Sequence, residues 1–339
     1  MIIKRTFPLF LIFTLCGCSA SLPLQKSPSS PTSSATATLS PTNTPFPTST
    51  LYLTPTPTPV PFINISLLPP GEYFTEDVSI TGEDMYLAVI SINGDFKGYL
   101  AKIIDQYAQL SPDLRYLVDT YYITDLSSGE KTAFANLKGC SSAYWAPDSK
   151  HLITSCPTLD TTGTENVDSL YVFSLADHSM TQITYSPYPK NSSGARWSPD
   201  GKWIAYEGVE ARSGESAYNG LHIINTKCFN KPFTCWQGEA GIDLRRSITW
   251  SPDGHYLAGI YNSYEIKVFQ IEEGSIILSR SYPMDLQIDW IRWSPHGDQI
   301  VISKSDGYFL LDVKAGKLMP FKPPSVGKIS QLVDWFLVP

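Results

Sequence analysis

One short turn, written five times, constrains this chain more than any other feature. It reads Leu110-Ser111-Pro112-Asp113-Leu114, Trp145-Ala146-Pro147-Asp148-Ser149, Trp197-Ser198-Pro199-Asp200-Gly201, Trp250-Ser251-Pro252-Asp253-Gly254 and Trp293-Ser294-Pro295-His296-Gly297. From proline to proline the copies lie from about 35 to about 53 residues apart, a period that marks a repeat architecture. Proline presets φ at the first turn position, aspartate bonds nearby backbone N–H groups, and glycine accepts positive φ before the next strand. Each copy therefore reads as a tight turn between two antiparallel strands, with Gly194 to Trp197 before one of them and Trp203 to Tyr206 after it.

A third strand follows in each repeat, as in Leu170 to Ser174, Leu221 to Asn225, Glu265 to Phe269 and Tyr308 to Asp312. Several repeats then turn at Gly129, Gly274 or Gly316 into a fourth. Four short antiparallel strands are one propeller blade, whose apolar faces only neighbouring blades can cover. Trp145, Trp197, Trp250 and Trp293 stand at one repeat position and are expected to pack between blades. These residues resemble the TolB-type, WD-repeat-like propeller family, whose repeat reads Trp-Ser-Pro-Asp-Gly followed by an Ile-Ala or Leu-Ala strand. The resemblance covers about residues 105 to 321 and implies an all-β fold.

At the ends of the repeat region, Asp77 to Ile104 reads as a degenerate first blade without the turn motif. Leu332 to Val338 reads as one more strand. Placing that strand in the first blade closes the ring and leaves no exposed sheet edge. The expectation is six blades of four strands, with seven as the alternative, forming a propeller domain over residues 63–339.

The N-terminus has the three zones of a secretory signal peptide: Met1 to Arg5, the apolar run Phe7 to Leu15, and Leu15-Cys16-Gly17-Cys18. The apolar run is too short to span a bilayer. Gly-Cys at the cleavage position resembles the lipobox of bacterial lipoproteins, which implies removal of residues 1–17 and lipid attachment at Cys18. An ordinary cleaved signal peptide is the other reading. Residues 18–62 are dominated by Ser, Thr, Pro and Ala and cannot bury enough apolar surface to fold. As an extended polyproline II stalk, at about 3.1 Å per residue, this tether reaches on the order of 100 Å.

The formal charge of −7, from 25 Lys and Arg against 32 Asp and Glu, argues against nucleic acid as a partner. Cleavage removes Lys4 and Arg5, so the mature chain is more acidic still and should meet a membrane only through its acyl chains.

An exported protein oxidises its thiols. Cys140 and Cys156 lie nearly symmetrically about the Pro147 turn, opposite or nearly opposite one another. Cross-strand neighbours there are within disulfide reach, whereas a one-residue stagger aims the side chains apart. Cys228 and Cys235 sit close together in an extended connection and form the second expected bridge. A metal site lacks a Cys-x-x-Cys or a metal-spaced His pair among His151, His178, His222, His255 and His296. Neither metal nor cofactor is expected.

No Gly-x-Ser-x-Gly elbow is present; the nearest string is Ser213-Gly214-Glu215-Ser216-Ala217. The α/β-hydrolase domain that such propellers cap in prolyl-oligopeptidase-like peptidases is not expected here. Binding is expected instead on two long second-to-third strand loops, Pro157 to Asp168 and Glu207 to Asn219, which come from adjacent repeats and form one acidic lip beside the central channel. Asp160, Glu165, Asp168, Glu210, Arg212, Glu215 and Tyr218 are the candidate recognition residues; surface loops without a ligand are the other reading. Asp160 to Asp168 match no EF-hand spacing.

The functional expectation is a lipid-anchored, extracytoplasmic, monomeric binding or scaffolding module for an envelope protein, a peptide or a glycan. The alternatives are a propeller hydrolase or lyase with its site at the central channel, and an accessory subunit of a separately encoded peptidase.

Overall fold

The structure is a computed structural model. It describes residues 62–339 except 80–83, 106–107, 121, 134–138, 142, 161, 186–190, 211–217, 230–235, 240–243, 306 and 323–329. The signal peptide, Cys18 and nearly all of the tether lie outside the described residues.

Blade 1 begins with β1 (Gly71–Ser79), β2 (Met85–Ser91) and β3 (Phe96–Ile103). Blade 2 is β4 (Gln109–Leu110), β5 (Tyr116–Val118), β6 (Tyr122–Asp125) and β7 (Lys131–Ala133). Blade 3 is β8 (Tyr144–Trp145), β9 (His151–Leu159), β10 (Asn166–Ser174) and β11 (Met180–Gln182). Blade 4 is β12 (Ser192–Trp197), β13 (Trp203–Glu210), β14 (Tyr218–Asn225) and β15 (Trp236–Glu239). Blade 5 is β16 (Leu244–Trp250), β17 (Tyr256–Tyr261), β18 (Glu265–Glu272) and β19 (Ser275–Pro283). Blade 6 is β20 (Ile288–Trp293), β21 (Gln299–Lys304), β22 (Gly307–Asp312) and β23 (Lys317–Phe321). The last strand, β24 (Ser330–Val338), pairs with β1, so blade 1 has the order β24-β1-β2-β3.

Among the described residues these make six four-stranded antiparallel sheets. The expected six blades and the expected closure by the C-terminal strand are both borne out. No helix among the described residues is long and apolar enough to cross a membrane.

The core lies between blades. Each of six apolar clusters draws on two adjacent blades, and the ring closes where Val301 of blade 6 meets Phe74, Leu332 and Trp335 of blade 1. Successive residues of a strand point to opposite faces, so a central strand buries consecutive apolar residues against two different neighbours. In β17, Leu257 joins the cluster shared with blade 4 while Ala258 and Ile260 join the one shared with blade 6.

The turn motif works through its serine as well as its proline and aspartate. Ser198 Oγ donates to Asp200 Oδ1 at 2.6 Å and accepts from the amide of Trp203 at 2.9 Å, while Asp200 Oδ1 accepts from the amide of Lys202. Ser111 with Asp113 and Ser251 with Asp253 repeat this. Where His296 stands in place of the aspartate, Asp298 takes over and accepts from Ser294 Oγ at 2.9 Å. The fifth position is left-handed in every copy, occupied even by Leu114 and Ser149. At Gly297 (φ 76°) a Cβ would stand 3.2 Å from Cδ of Pro252 in the preceding blade's turn, so glycine also allows the turns to abut.

The four motif tryptophans pack between blades, as expected. Trp145, Trp250 and Trp293 are buried, whereas Trp197 is half-buried and lines a cleft of about 770 Å³ between blades 3 and 4, edge-on to Phe229.

Cys140 and Cys156 form a disulfide with Cα atoms 4.1 Å apart. Their hairpin is in register at Tyr144 with Ile153 and Trp145 with Leu152, which by strict continuation sets Cys140 opposite Pro157. A one-residue shift, marked by the Ser141 amide donating to the Ser155 carbonyl, brings Cys156 opposite instead. Similar shifts interrupt the first pairing of blades 4, 5 and 6. Cys228 is also disulfide-bonded; its expected partner Cys235 lies outside the described residues.

Candidate functional site

Two regions at opposite ends of the ring are candidates. In each blade the first-to-second turns sit at one end and the second-to-third turns at the other, because successive strands run antiparallel.

The first region is the pair of hairpins β9–β10 and β13–β14. β9 and β13 run nine and eight residues against six in β17 and β21. Much of what reads in sequence as long loop is therefore strand. Leu159 pairs with Asn166 and Glu210 with Tyr218, which leaves 160–165 and 211–217 as the connections. Pro157 and Asp168 are strand partners, as are Glu207 and Leu221.

The two hairpins come from adjacent blades and share one residue. Asn191 Oδ1 accepts from the Asp168 amide at 2.9 Å, and the Asn191 carbonyl accepts from the Val209 amide at 2.8 Å. Of the candidate residues, Glu165 and Asp168 are exposed. Asp160 folds its own turn: its carboxylate accepts from Thr162 Oγ1 at 2.6 Å, from the Thr164 amide at 2.8 Å and from the Glu165 amide at 3.2 Å. These bonds, the Thr162 hydroxyl foremost, lower its pKa to about 2. Glu210 and Tyr218 are placed by their backbones at the hairpin end, and Arg212 and Glu215 lie outside the described residues.

The second region, at the turn-motif end, is the mouth of the central channel, which the sequence offered only as the site of an alternative function, without naming its residues. A cavity of about 340 Å³ is lined by all six blades. In blades 2 to 6 one lining residue stands immediately before the aromatic or leucine that closes the innermost strand, Gln109, Tyr144, Arg196, Thr249 and Arg292, and in blade 1 Asp334 stands before Trp335 within β24. Strand alternation turns the closing residue and the one before it to opposite faces of the blade, and both reach the cavity. Neighbouring blades also fix the ring. Trp145 Nε1 donates to the Gln109 carbonyl at 3.2 Å, Trp250 Nε1 to the Arg196 carbonyl at 3.1 Å and Trp293 Nε1 to the Thr249 carbonyl at 3.1 Å. Pro112, Pro199, Pro252 and Pro295 of the turn motifs form an apolar collar on the same cavity.

Asp334 is the one carboxylate among the residues lining this cavity, and its Oδ1 lies 3.3 Å from Arg292 Nε. Arg292 Nη2 donates to the Val333 carbonyl. Arg196 lies flat on Tyr144, with Cζ 3.1 Å from the ring centre, and its Nη1 donates to the Ala195 carbonyl. The signal in the sequence was the position before each closing residue, which is chemically varied where the rest of the motif repeats.

Fold and repeat together define a six-bladed β-propeller whose turn motif resembles the TolB-type repeat. No family model matches the chain, and no curated protein matches it. Solved propellers do. A TolB-like protein from Agrobacterium tumefaciens is 16% identical, with TM-score 0.50 over 75% of this chain and 89% of that one. The β-propeller domain of Cps50 (Swd1) from Myceliophteria thermophila is 11% identical, with TM-score 0.50 over 74% of this chain and 86% of that one. TolB from Acinetobacter baumannii is 18% identical, with TM-score 0.42 over 59% of this chain; the match spans 52% of the length of that TolB. At these identities the likeness is one of fold.

Proposed function

We propose that this chain is an extracytoplasmic binding or scaffolding propeller. It is held at a bacterial membrane by a lipid on Cys18, spaced from it by residues 18–62, and engages an envelope protein, a peptide or a glycan through the hairpins of blades 3 and 4. The observation that carries the reading is Asn191, which bonds to both of two lengthened hairpins from adjacent blades. Long elements on a rigid scaffold are where recognition concentrates. The Cys140–Cys156 disulfide supports an oxidising compartment.

Two measurements test it on the full chain. Labelled palmitate should enter the wild type and not Cys18→Ser, which should lose its membrane association. A photo-crosslinker at Asp168 should capture a partner from native membranes, and replacing Arg212 and Tyr218 together should abolish capture while the melting temperature stays within a degree or two of wild type. Unchanged capture by that double variant sinks the hairpin assignment.

A further inference from the structure

The mouth of the channel carries two arginines against one carboxylate. Arg292 has Asp334, whereas no carboxylate remains for Arg196 among the residues that line the cavity. Glu207, whose charge Arg196 also feels, does not line it. Nε of Arg196 is buried with no hydrogen-bond partner among the described residues, and Nε of Arg292 has only its ion-pair contact with Asp334. Burial first, and the Arg292 charge after the opposing effect of Tyr144, pull the Arg196 pKa below the usual arginine range. A guanidinium in a protein keeps its proton. The two like charges therefore stand as an electrostatic cost that an anion relieves.

We infer that the mouth of the central channel binds a single carboxylate borne on a small apolar group, seated between Arg196 and Arg292 with its apolar part against the collar of prolines. Three features select this chemistry. The flat two-oxygen carboxylate matches the guanidinium fork. The lining carries two guanidinium groups against one carboxylate, which favours an anion, and Asp334 beside the ligand disfavours a dianion. The volume, about 340 Å³, falls at the small end of ligand sites, about 300–1,000 Å³, and suits a short apolar acid. Such a group comes from a free carboxylic acid or from the C-terminus of a peptide. The inference does not rest on the hairpin reading, because the two regions lie at opposite ends of the blades.

Calorimetric titration of the full chain in detergent, at low ionic strength, tests it with three probes: 4-methylpentanoate, acetyl-Ala-Ala-Leu with a free C-terminus, and the same tripeptide as its amide. The free tripeptide should bind and the amide should not. Binding of 4-methylpentanoate as well assigns the site to free acids; its failure alongside tripeptide binding assigns it to peptide termini. Arg196→Gln should weaken binding about tenfold or more, as loss of a charge-assisted hydrogen bond does. Arg196→Lys should recover part of that loss, and Arg292→Gln, which leaves Asp334 facing the ligand, should abolish binding. Thermal melting of each variant separates lost binding from lost folding. Absence of binding by both free acids to wild type, equal binding of acid and amide, or wild-type affinity in folded Arg196→Gln overturns the inference. Acid binding that survives replacement of Arg212 and Tyr218, together with lost partner capture, separates the two sites.

Discussion

The indole N–H of Trp250 donates to the backbone carbonyl of Arg196, 3.1 Å away and one blade back. Trp145 with Gln109 and Trp293 with Thr249 repeat the relationship. The tryptophan that fills the space between two blades thus also fixes the residue its neighbour presents to the channel, and packing and site geometry share one side chain.

Trp250→Phe removes that donor while keeping most of the apolar volume. A carbonyl left without its partner in a buried setting costs about 1–3 kcal/mol. Trp250→Ala adds the cavity and should cost about 3–5 kcal/mol. Urea unfolding midpoints compared across both variants and wild type measure the two losses. An unchanged midpoint in Trp250→Phe removes the bond from the account of stability.

Closure of the ring depends on β24. Trp335 packs on Phe74 with ring centres 4.9 Å apart, and its Nε1 donates to Glu72 Oε2 at 2.9 Å. Trp335→Ala should therefore destabilise the fold by about 3–5 kcal/mol. Hydrogen exchange should rise first in β1 and β20, the strands on either side of the closure.

The Cys140–Cys156 bridge closes a loop with a sequence separation of 16 residues. In the chain-entropy model such a bridge contributes about 3 kcal/mol. The Cys140→Ser, Cys156→Ser double variant should unfold at correspondingly lower denaturant without reductant, so that the disulfide at Cys228 stays intact during the measurement.

Asp160 should titrate far below its ordinary value. Its folded pKa is lowered from 3.8 to about 2 by bonds to Thr162, Thr164 and Glu165. A depressed carboxylate pKa means that the stabilising contribution is complete above the unfolded value and is lost as pH falls through the folded one. The amide resonance of Thr164 should shift with a midpoint near 2. A midpoint near 3.8 would falsify the capped turn, and Asp160→Asn should remove the transition.

Local chemistry explains why so much of the fold was legible. The turn motif is self-contained: Ser198, Asp200 and Gly201 satisfy one another within six residues, so five copies announce five hairpins. Even its exception obeys local rules, with Asp298 reaching back to Ser294 where His296 cannot serve. Strand extent was less legible. Glu207 to Glu210 and Pro157 to Leu159 read as loop because Pro157, Gly208 and the charges of Glu207 and Glu210 break the local strand pattern, yet their pairing depends on partners across the hairpin. The half-burial of Trp197 likewise depends on the cleft its neighbours leave.

The sequence by itself determined the repeat and the hairpin turns, because turn geometry and two-residue alternation act over a few neighbouring residues; it pointed to the closing strand and left six blades against seven for the tertiary structure to decide. Only the tertiary structure decided that Arg196, Arg292 and Asp334 line one cavity. They stand in three different blades, and nothing local to any of them specifies the others. Their meeting follows from closing the ring, which brings the ends of the innermost strands together around a single axis.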